Sequence, residues 1–376
     1  MDALLVIDKP LGLTSFDVVA KVRRLLKERR IGHAGTLDPL ATGVLLLCLG
    51  EMTKLVPYLM DADKEYLATA RLGVATDTDD ADPKAQVLSQ ASRDDLLRLK
   101  EADVRAVLAR YQGEVLQRPP RFSALKIDGK RLYTQARKAR EKGAAAAVEV
   151  PSDAVLSTED PSVNDPAAEI EAAIAGKTRI VRIDAITVED VRLLSEYDPP
   201  GTWPEVRFRV RCGKGTYIRS LARDLGDALG VGAHLSSLRR LRVGPFDVSG
   251  AVPPDQAQLA TRHDLVSAVA HLPQLRLSES EATRVRCGQP TVLRELAPQL
   301  AALLPSSAVR DGTAVVAVLD PQGSLVAIVQ PVAAAGDADR AVVSGAPPRF
   351  QIARGFVAPT TVAAASKEAP CITGCA

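Results

Sequence analysis

Residues 205–230 constrain the fold of this 376-residue chain more than any other stretch, because their periodicity changes once and each half reads only one way. Val206, Phe208, Val210 and Cys212 alternate with Arg207, Arg209 and Arg211, the period-two pattern of a half-buried strand with a basic outer face. Gly213-Lys214-Gly215 ends that run. Ile218, Leu221, Ala222, Leu225 and Leu229 then recur at helical spacing until Gly230 stops the helix. A strand that feeds an amphipathic helix requires a sheet and a helical layer to cover it. Residues 65–73 predict another strand, with Tyr66, Ala68, Ala70 and Leu72 alternating against Leu67, Thr69 and Arg71. Thr14-Ser15-Phe16-Asp17 predicts a helix start, followed by Val18, Val19, Val22, Leu25 and Leu26 on one face and basic residues on the other.

Between these elements, Gly32-His33-Ala34-Gly35-Thr36-Leu37-Asp38-Pro39-Leu40-Ala41-Thr42-Gly43 carries too many breakers for a long helix or a regular strand, and reads as a shaped loop. Toward the C-terminus, Thr313–Leu319 and Ser324–Gln330 are Val-rich runs joined by Asp320-Pro321-Gln322-Gly323, a hairpin signal. They predict a small β-rich domain over about 273–358, followed by a disordered tail. The longest strongly apolar stretch, 40–49, is about half of what a membrane-spanning helix needs. The N-terminus lacks the pattern of a secretory signal, so a cytoplasmic protein is expected. The five cysteines contain no CxxC pair, and the four histidines form neither HExxH nor a zinc pattern, so the reading is reduced thiols and no metal.

The charge is uneven. Residues 21–30 hold six basic residues and one acidic, residues 117–142 nine and two, and residues 205–243 nine and three. Residues 143–176 hold seven acidic residues and neither Lys nor Arg, which reads as an acidic flexible insertion. Three basic segments, two of them carrying aromatics (Phe122, Tyr133, Phe208, Tyr217), favour a phosphate-rich partner whose unstacked bases can lie on rings. RNA fits that description.

The blocks LLVIDKPLGLTSFDVV, IGHAGTLDPLATGVLLLCLGEMTK, KEYLATARLGVATDTDDADP, PPRFSALKIDGKRLYTQAR and RCGKGTYIRSLARDLGDALGVGAHLSSLRRLRVGPF follow in order through residues 4–246. In them the chain resembles the bacterial tRNA pseudouridine-55 synthases, the TruB family. The resemblance implies an α+β fold: a mixed, mainly antiparallel sheet flanked by helices (the pseudouridine synthase fold) in a catalytic domain over 1–250. A linker over 251–272, a small PUA-like β-barrel for RNA binding over 273–358 and a tail over 359–376 would complete the chain. It also implies isomerisation of the T-loop uridine of tRNA by base flipping. The base is detached from C1′, turned and rejoined through C5, without nucleotide, metal or redox cofactor.

By the same resemblance Asp38 is the catalytic carboxylate, acting at C1′, at base C6 or on the C2′ proton, three routes that stay open. Arg219 pairs with it and keeps it ionised. Tyr66 stacks on the flipped base and assists proton removal from C5. Tyr217 and Leu238 line the pocket, His33 enters the space the flipped bases vacate, and Lys9 gives structural support. Ser123, Lys126, Lys130 and Arg131 belong to the basic segment that meets tRNA phosphates. The expected partner is the tRNA T stem-loop, with no obligatory protein partner, no membrane, and a monomeric state. A guide-RNA-dependent enzyme with protein partners and a noncatalytic RNA binder are the competing readings.

Overall fold

The computed structural model describes residues 2–122, 126–127, 130–131, 176–310, 312–332 and 348–356. The acidic insertion, apart from Gly176, Ser123 and the C-terminal tail lie outside the described residues. The chain divides into two compact units, residues 1–264 and 265–376.

The first unit is built on a nine-stranded sheet. Its strands are β1 (Ala3–Lys9), β2 (Ile31–Ala34), β3 (Ala41–Leu49), β4 (Lys64–Leu72), β7 (Gly113–Gln117), β10 (Arg179–Arg192), β11 (Glu205–Cys212), β12 (Ala233–Val243) and β13 (Phe246–Asp247). Small hairpins, β5 (Val74–Thr76) with β6 (Val87–Gln90) and β8 (Lys126–Ile127) with β9 (Lys130–Arg131), stand apart from it. The main order is β1-β3-β12-β4-β11-β10-β7, with β2 on β3 and β13 on β12. Every pairing in this sheet is antiparallel except β3 with β12, where Ala41, Thr42 and Gly43 lie opposite Leu238, Arg239 and Arg240. The sheet is therefore mixed and mainly antiparallel, as expected.

Local chemistry explains the elements. Helix α1 (Ser15–Leu26) starts at Thr14, whose side chain accepts from the Asp17 N–H while the Asp17 carboxylate accepts from the Thr14 N–H, a reciprocal capping box. Its Val18, Val19 and Val22 pack into the core with Leu221, Ala222 and Leu225 of the helix Ile218–Ala228, over Leu5, Ile7, Leu45 and Leu47 of the sheet. β4 and β11 bury alternate residues, Tyr66, Ala68, Ala70 and Leu72 from one and Val206, Phe208, Val210 and Cys212 from the other. Residues 252–263 are built into the same unit: Val252 bridges to Ile7, and His263 exchanges two backbone hydrogen bonds with Leu4.

The outer face of β11 differs from the basic surface expected of it. Arg209 lies 3.0 Å from Glu65 and 2.9 Å from Glu189, Arg207 lies 3.5 Å from Glu189, and Arg242 lies 3.0 Å from Glu65. Opposite charges on neighbouring strands cancel there. The pairing partners sit tens of residues away in sequence, so counting cations along one segment overstated the free charge.

In the second unit, β14 (Gln274–Arg276), β15 (Val316–Leu319), β16 (Leu325–Pro331) and β17 (Phe350–Gly355) form one four-stranded sheet in that order. Val285, Val292, Leu296 and Leu300 from its helices pack on Val316, Val318 and Val329. The expected hairpin is present, with Val316 opposite Val329. No closed barrel is formed among the described residues; β14 and β17 are the edges of an open sheet.

Candidate active site

Asp38 opens a tight turn. The Ala41 N–H donates to the Asp38 carbonyl at 3.0 Å, with Pro39 at the position whose fixed φ suits such a turn. The loop expected over 32–43 is thus shorter than its glycines suggested, since Gly32–Ala34 belong to β2 and Ala41 begins β3. Gly43 shows why glycine is needed: its φ is +96°, and a Cβ there would stand 2.1 Å from the Arg240 carbonyl oxygen. The backbones of β3 and β12 touch at that point.

Three cations hold the turn. Arg219 Nε lies 2.9 Å from Asp38 Oδ2, while its side chain is 6% exposed and that of Asp38 is 40% exposed. The carboxylate is therefore anchored from within and open to solvent on its other side. The rest of the guanidinium is fully used: Nη1 donates to the Thr78 carbonyl at 2.9 Å and faces Asp80 at 3.7 Å, and Nη2 donates to the Phe122 carbonyl at 2.7 Å. Burial works against its charge and Asp38 and Asp80 more than restore it, so the arginine stays cationic.

Lys9 and Arg240 are among the largest side chains with almost no exposure. Lys9 Nζ donates to the carbonyls of Pro10, Leu13 and Pro39, tying the start of the chain to the Asp38 turn. Burial pushes its ammonium down to about 8, opposed by Asp38. Arg240 donates from Nε to Val44 at 2.7 Å and from Nη2 to Gly35 at 3.1 Å, so one side chain grips the segment on both sides of the turn.

Tyr66 lies between Val210 and Arg240 in the sheet and is 8% exposed. Burial raises its hydroxyl pKa, Arg240 opposes that rise, and Asp38 is close enough to be felt. Leu238, two residues along β12 from Arg240, pairs with Ala41 after the turn and with Ala68. Tyr217 stands at the N-terminal cap of the helix that carries Arg219, with the Arg179 guanidinium 5.2 Å from its ring centre. His33 on β2 is half-buried, and burial with the nearby Arg240 charge lowers its pKa, so its ring is neutral at pH 7. Asp38, Tyr66, Arg219, Lys9 and Leu238 thus gather around one turn. The backbones of Lys126, Lys130 and Arg131 form the β8–β9 hairpin, and Ser123 falls outside the described residues.

Sequence reasoning missed three residues here. Gln117 is buried; its Nε2 donates to the Tyr217 carbonyl at 3.0 Å, and its Oε1 accepts from the Tyr217 N–H at 2.8 Å. Arg240 was counted with the exposed cations, although it shares the inward phase of β12 with Leu238, which was the available signal. Arg223, one turn after Arg219, pairs with Asp79 at 2.9 Å and donates to the Arg118 carbonyl at 2.9 Å.

Comparison with known families places the chain among the pseudouridylate synthases. Residues 23–174 match the family model described as TruB family pseudouridylate synthase, N-terminal domain, and residues 219–289 that of the tRNA pseudouridylate synthase B C-terminal domain. Proteins called tRNA pseudouridine synthase B are similar over most of their length. That of Burkholderia mallei is 40% identical over 79% of this chain and 85% of its own. That of Geobacter sulfurreducens is 37% identical over 86% and 95%, and that of Thermobifida fusca 43% identical over 76% and 84%. The chain belongs to the TruB family of tRNA pseudouridine synthases. A chain of a Cbf5-Nop10-Gar1 complex shares its fold, with a TM-score of 0.56 at 23% identity, covering 94% of this chain and 85% of that one. No described helix is long and apolar enough to cross a membrane.

Proposed function

We propose that the protein isomerises the T-loop uridine, position 55 of tRNA, to pseudouridine with Asp38 as the catalytic carboxylate. One observation carries this reading: Asp38 is held by a buried arginine at 2.9 Å and yet keeps 40% of its side chain exposed. An anion fixed in that way is ready for a nucleotide that arrives from solvent. Asp38 acts by attack at C1′, by attack at C6 or by taking the C2′ proton. In each route the N1–C1′ bond breaks, C5 bonds to C1′, and the C5 proton leaves.

Tyr66 lies beneath the flipped base and serves the C5 proton step: as a phenolate, which burial disfavours and the Arg240 charge beside it favours, its oxygen accepts the C5 proton. Tyr217 and Leu238 shape the pocket, and the neutral ring of His33 stacks into the space left by flipped T-loop bases. Lys9 supports the turn. Ser123, Lys126, Lys130 and Arg131 meet phosphates of the T arm. Catalysis belongs to residues 1–250, and residues 273–358 act as a PUA-like module that binds RNA. The enzyme works in the cytoplasm as a monomer, on tRNA alone, without cofactor or protein partner.

The test is tritium release from a T-arm hairpin labelled at uridine C5, with no cofactor or partner added. Release by wild type and none by Asp38→Asn is expected. Equal release by both variants removes Asp38 from the chemistry, and release only after a second protein is added removes the stand-alone reading.

A further inference from the structure

The segment between Lys9 and helix α1 is fastened to the catalytic turn at several points. The Gly12 N–H donates to the Pro39 carbonyl at 2.8 Å, and the Ser15 hydroxyl donates to the Leu37 carbonyl at 3.1 Å. That same hydroxyl accepts from the Leu37 N–H at 2.8 Å, and Lys9 holds Leu13 and Pro39 together. A segment tied down so thoroughly is well placed to bury its apolar side chains. It nevertheless leaves Leu11 66% and Phe16 68% exposed. Phe16 lies next to Ser15, so its ring is carried on the backbone clasped to Leu37, the residue before Asp38. Along α1 and its end, Lys21, Arg24, Lys27 and Arg29 are also exposed, which sets cations along the same helix as the ring.

We propose that Phe16, with Leu11 five residues earlier on the same fastened segment, is a stacking platform for an unpaired base of the RNA substrate next to the flipped uridine. The cations of α1 hold the phosphates that follow. This rests on the proposed reaction at Asp38. An exposed ring is costly to leave in water and rewards any flat partner, and a nucleobase offers a π-face whatever its identity. Phosphates beside the ring supply the charge that the α1 cations require. Neither side chain supports the core, and both are carried on the segment fastened to the Asp38 turn.

The experiment measures binding of a T-arm hairpin by wild type, Phe16→Ala and Tyr197→Ala, together with C5 tritium release by each. Tyr197 is an aromatic 95% exposed, in the turn around residues 195–201, and serves as the control. Phe16→Ala is expected to weaken hairpin binding roughly 5- to 20-fold, the loss of one base–aromatic stack. That loss should fall on Kd and KM, while the slope of log Kd against log salt stays at its wild-type value because no phosphate contact has gone. Tyr197→Ala should bind as wild type does. Binding by Phe16→Ala within about twofold of wild type overturns the platform, as does a change confined to self-association in sedimentation, which would make Phe16 a contact between copies. If wild type itself releases no tritium, the proposed reaction fails instead. A hairpin with an abasic nucleotide beside the target uridine should bind wild type and Phe16→Ala alike.

Discussion

Replacing Gln117 by Leu tests whether the arginine that anchors Asp38 depends on a residue about a hundred positions earlier. Gln117 satisfies both backbone groups of Tyr217, at 2.8 and 3.0 Å, and the helix that begins there has no side-chain cap of its own. Leucine keeps the volume and removes both bonds. Each lost bond costs about 1 kcal/mol net, more where water cannot replace it. Tyr217 is half-buried, so water replaces the lost bonds in part. The expected loss is therefore about 2 kcal/mol, placed at the start of the Arg219 helix. Trp203, the single tryptophan, packs against the core of the first unit and makes its unfolding visible by fluorescence without a signal from the second unit. With a urea slope of about 3 kcal/mol per molar, the midpoint should fall by roughly 0.7 M. Gln117→Glu places a buried carboxylate against the Tyr217 carbonyl, so it should lose at least as much as the leucine variant at neutral pH. Because Arg219 sits two residues into that helix, kcat on the hairpin should fall at least tenfold at unchanged KM, on the order of the cost of misplacing a catalytic group. A midpoint shift below about 0.2 M with unchanged slope, and unchanged kcat, would refute the reasoning.

Other outcomes follow from the same geometry. Arg219→Lys keeps a charge but cannot reach Asp38, Thr78 and Phe122 together, so kcat should drop by roughly a hundredfold or more while hairpin Kd, measured by filter binding, stays within about threefold. Gly43→Ala forces a Cβ against the Arg240 carbonyl at a positive φ and should cost on the order of 3 kcal/mol, read as a fall in the Tm of the first unit. Burial holds the Lys9 pKa at about 8 against an ordinary value of 10.5, so between those values the unfolded chain binds the proton that the folded one has released. Stability must then rise with pH across that window through this group, and the penalty stands in full below about 8. Lys9→Met should show a flatter slope over pH 8–10.5 than wild type in urea titrations.

Much of the fold was legible because its elements announce themselves locally. The alternation of Val206 to Cys212 and the Thr14–Asp17 box are both decided within a few residues of each other, and both stand where the sequence put them. The pairing of Arg219 with Asp38 was legible only through the resemblance of their two motifs, since 181 residues separate them (219 − 38) and no periodicity joins them. What was not legible depends on register between distant strands. Arg207 and Arg209 looked like free cations until Glu65 and Glu189 came alongside. Arg239 and Arg240 count alike among the basic residues of 205–243, yet Arg240 faces the core and Arg239 pairs with Asp8. Gln117 carries no charge and no period, and its role exists only because β7 ends beside Tyr217.

The contact between β3 and β12 has a bearing on when the protein becomes an enzyme during its synthesis. Asp38 is translated early, but the strand that flanks its turn begins at residue 233, and the arginine that grips the turn on both sides is residue 240. Contacts this far apart close late, because the whole intervening chain must first be brought round. A ribosome-bound chain that stops short of residue 240 carries the carboxylate without its clasp, and it should neither bind a T arm productively nor release tritium from it. The turn that carries Asp38 is therefore completed only when β12 joins the sheet.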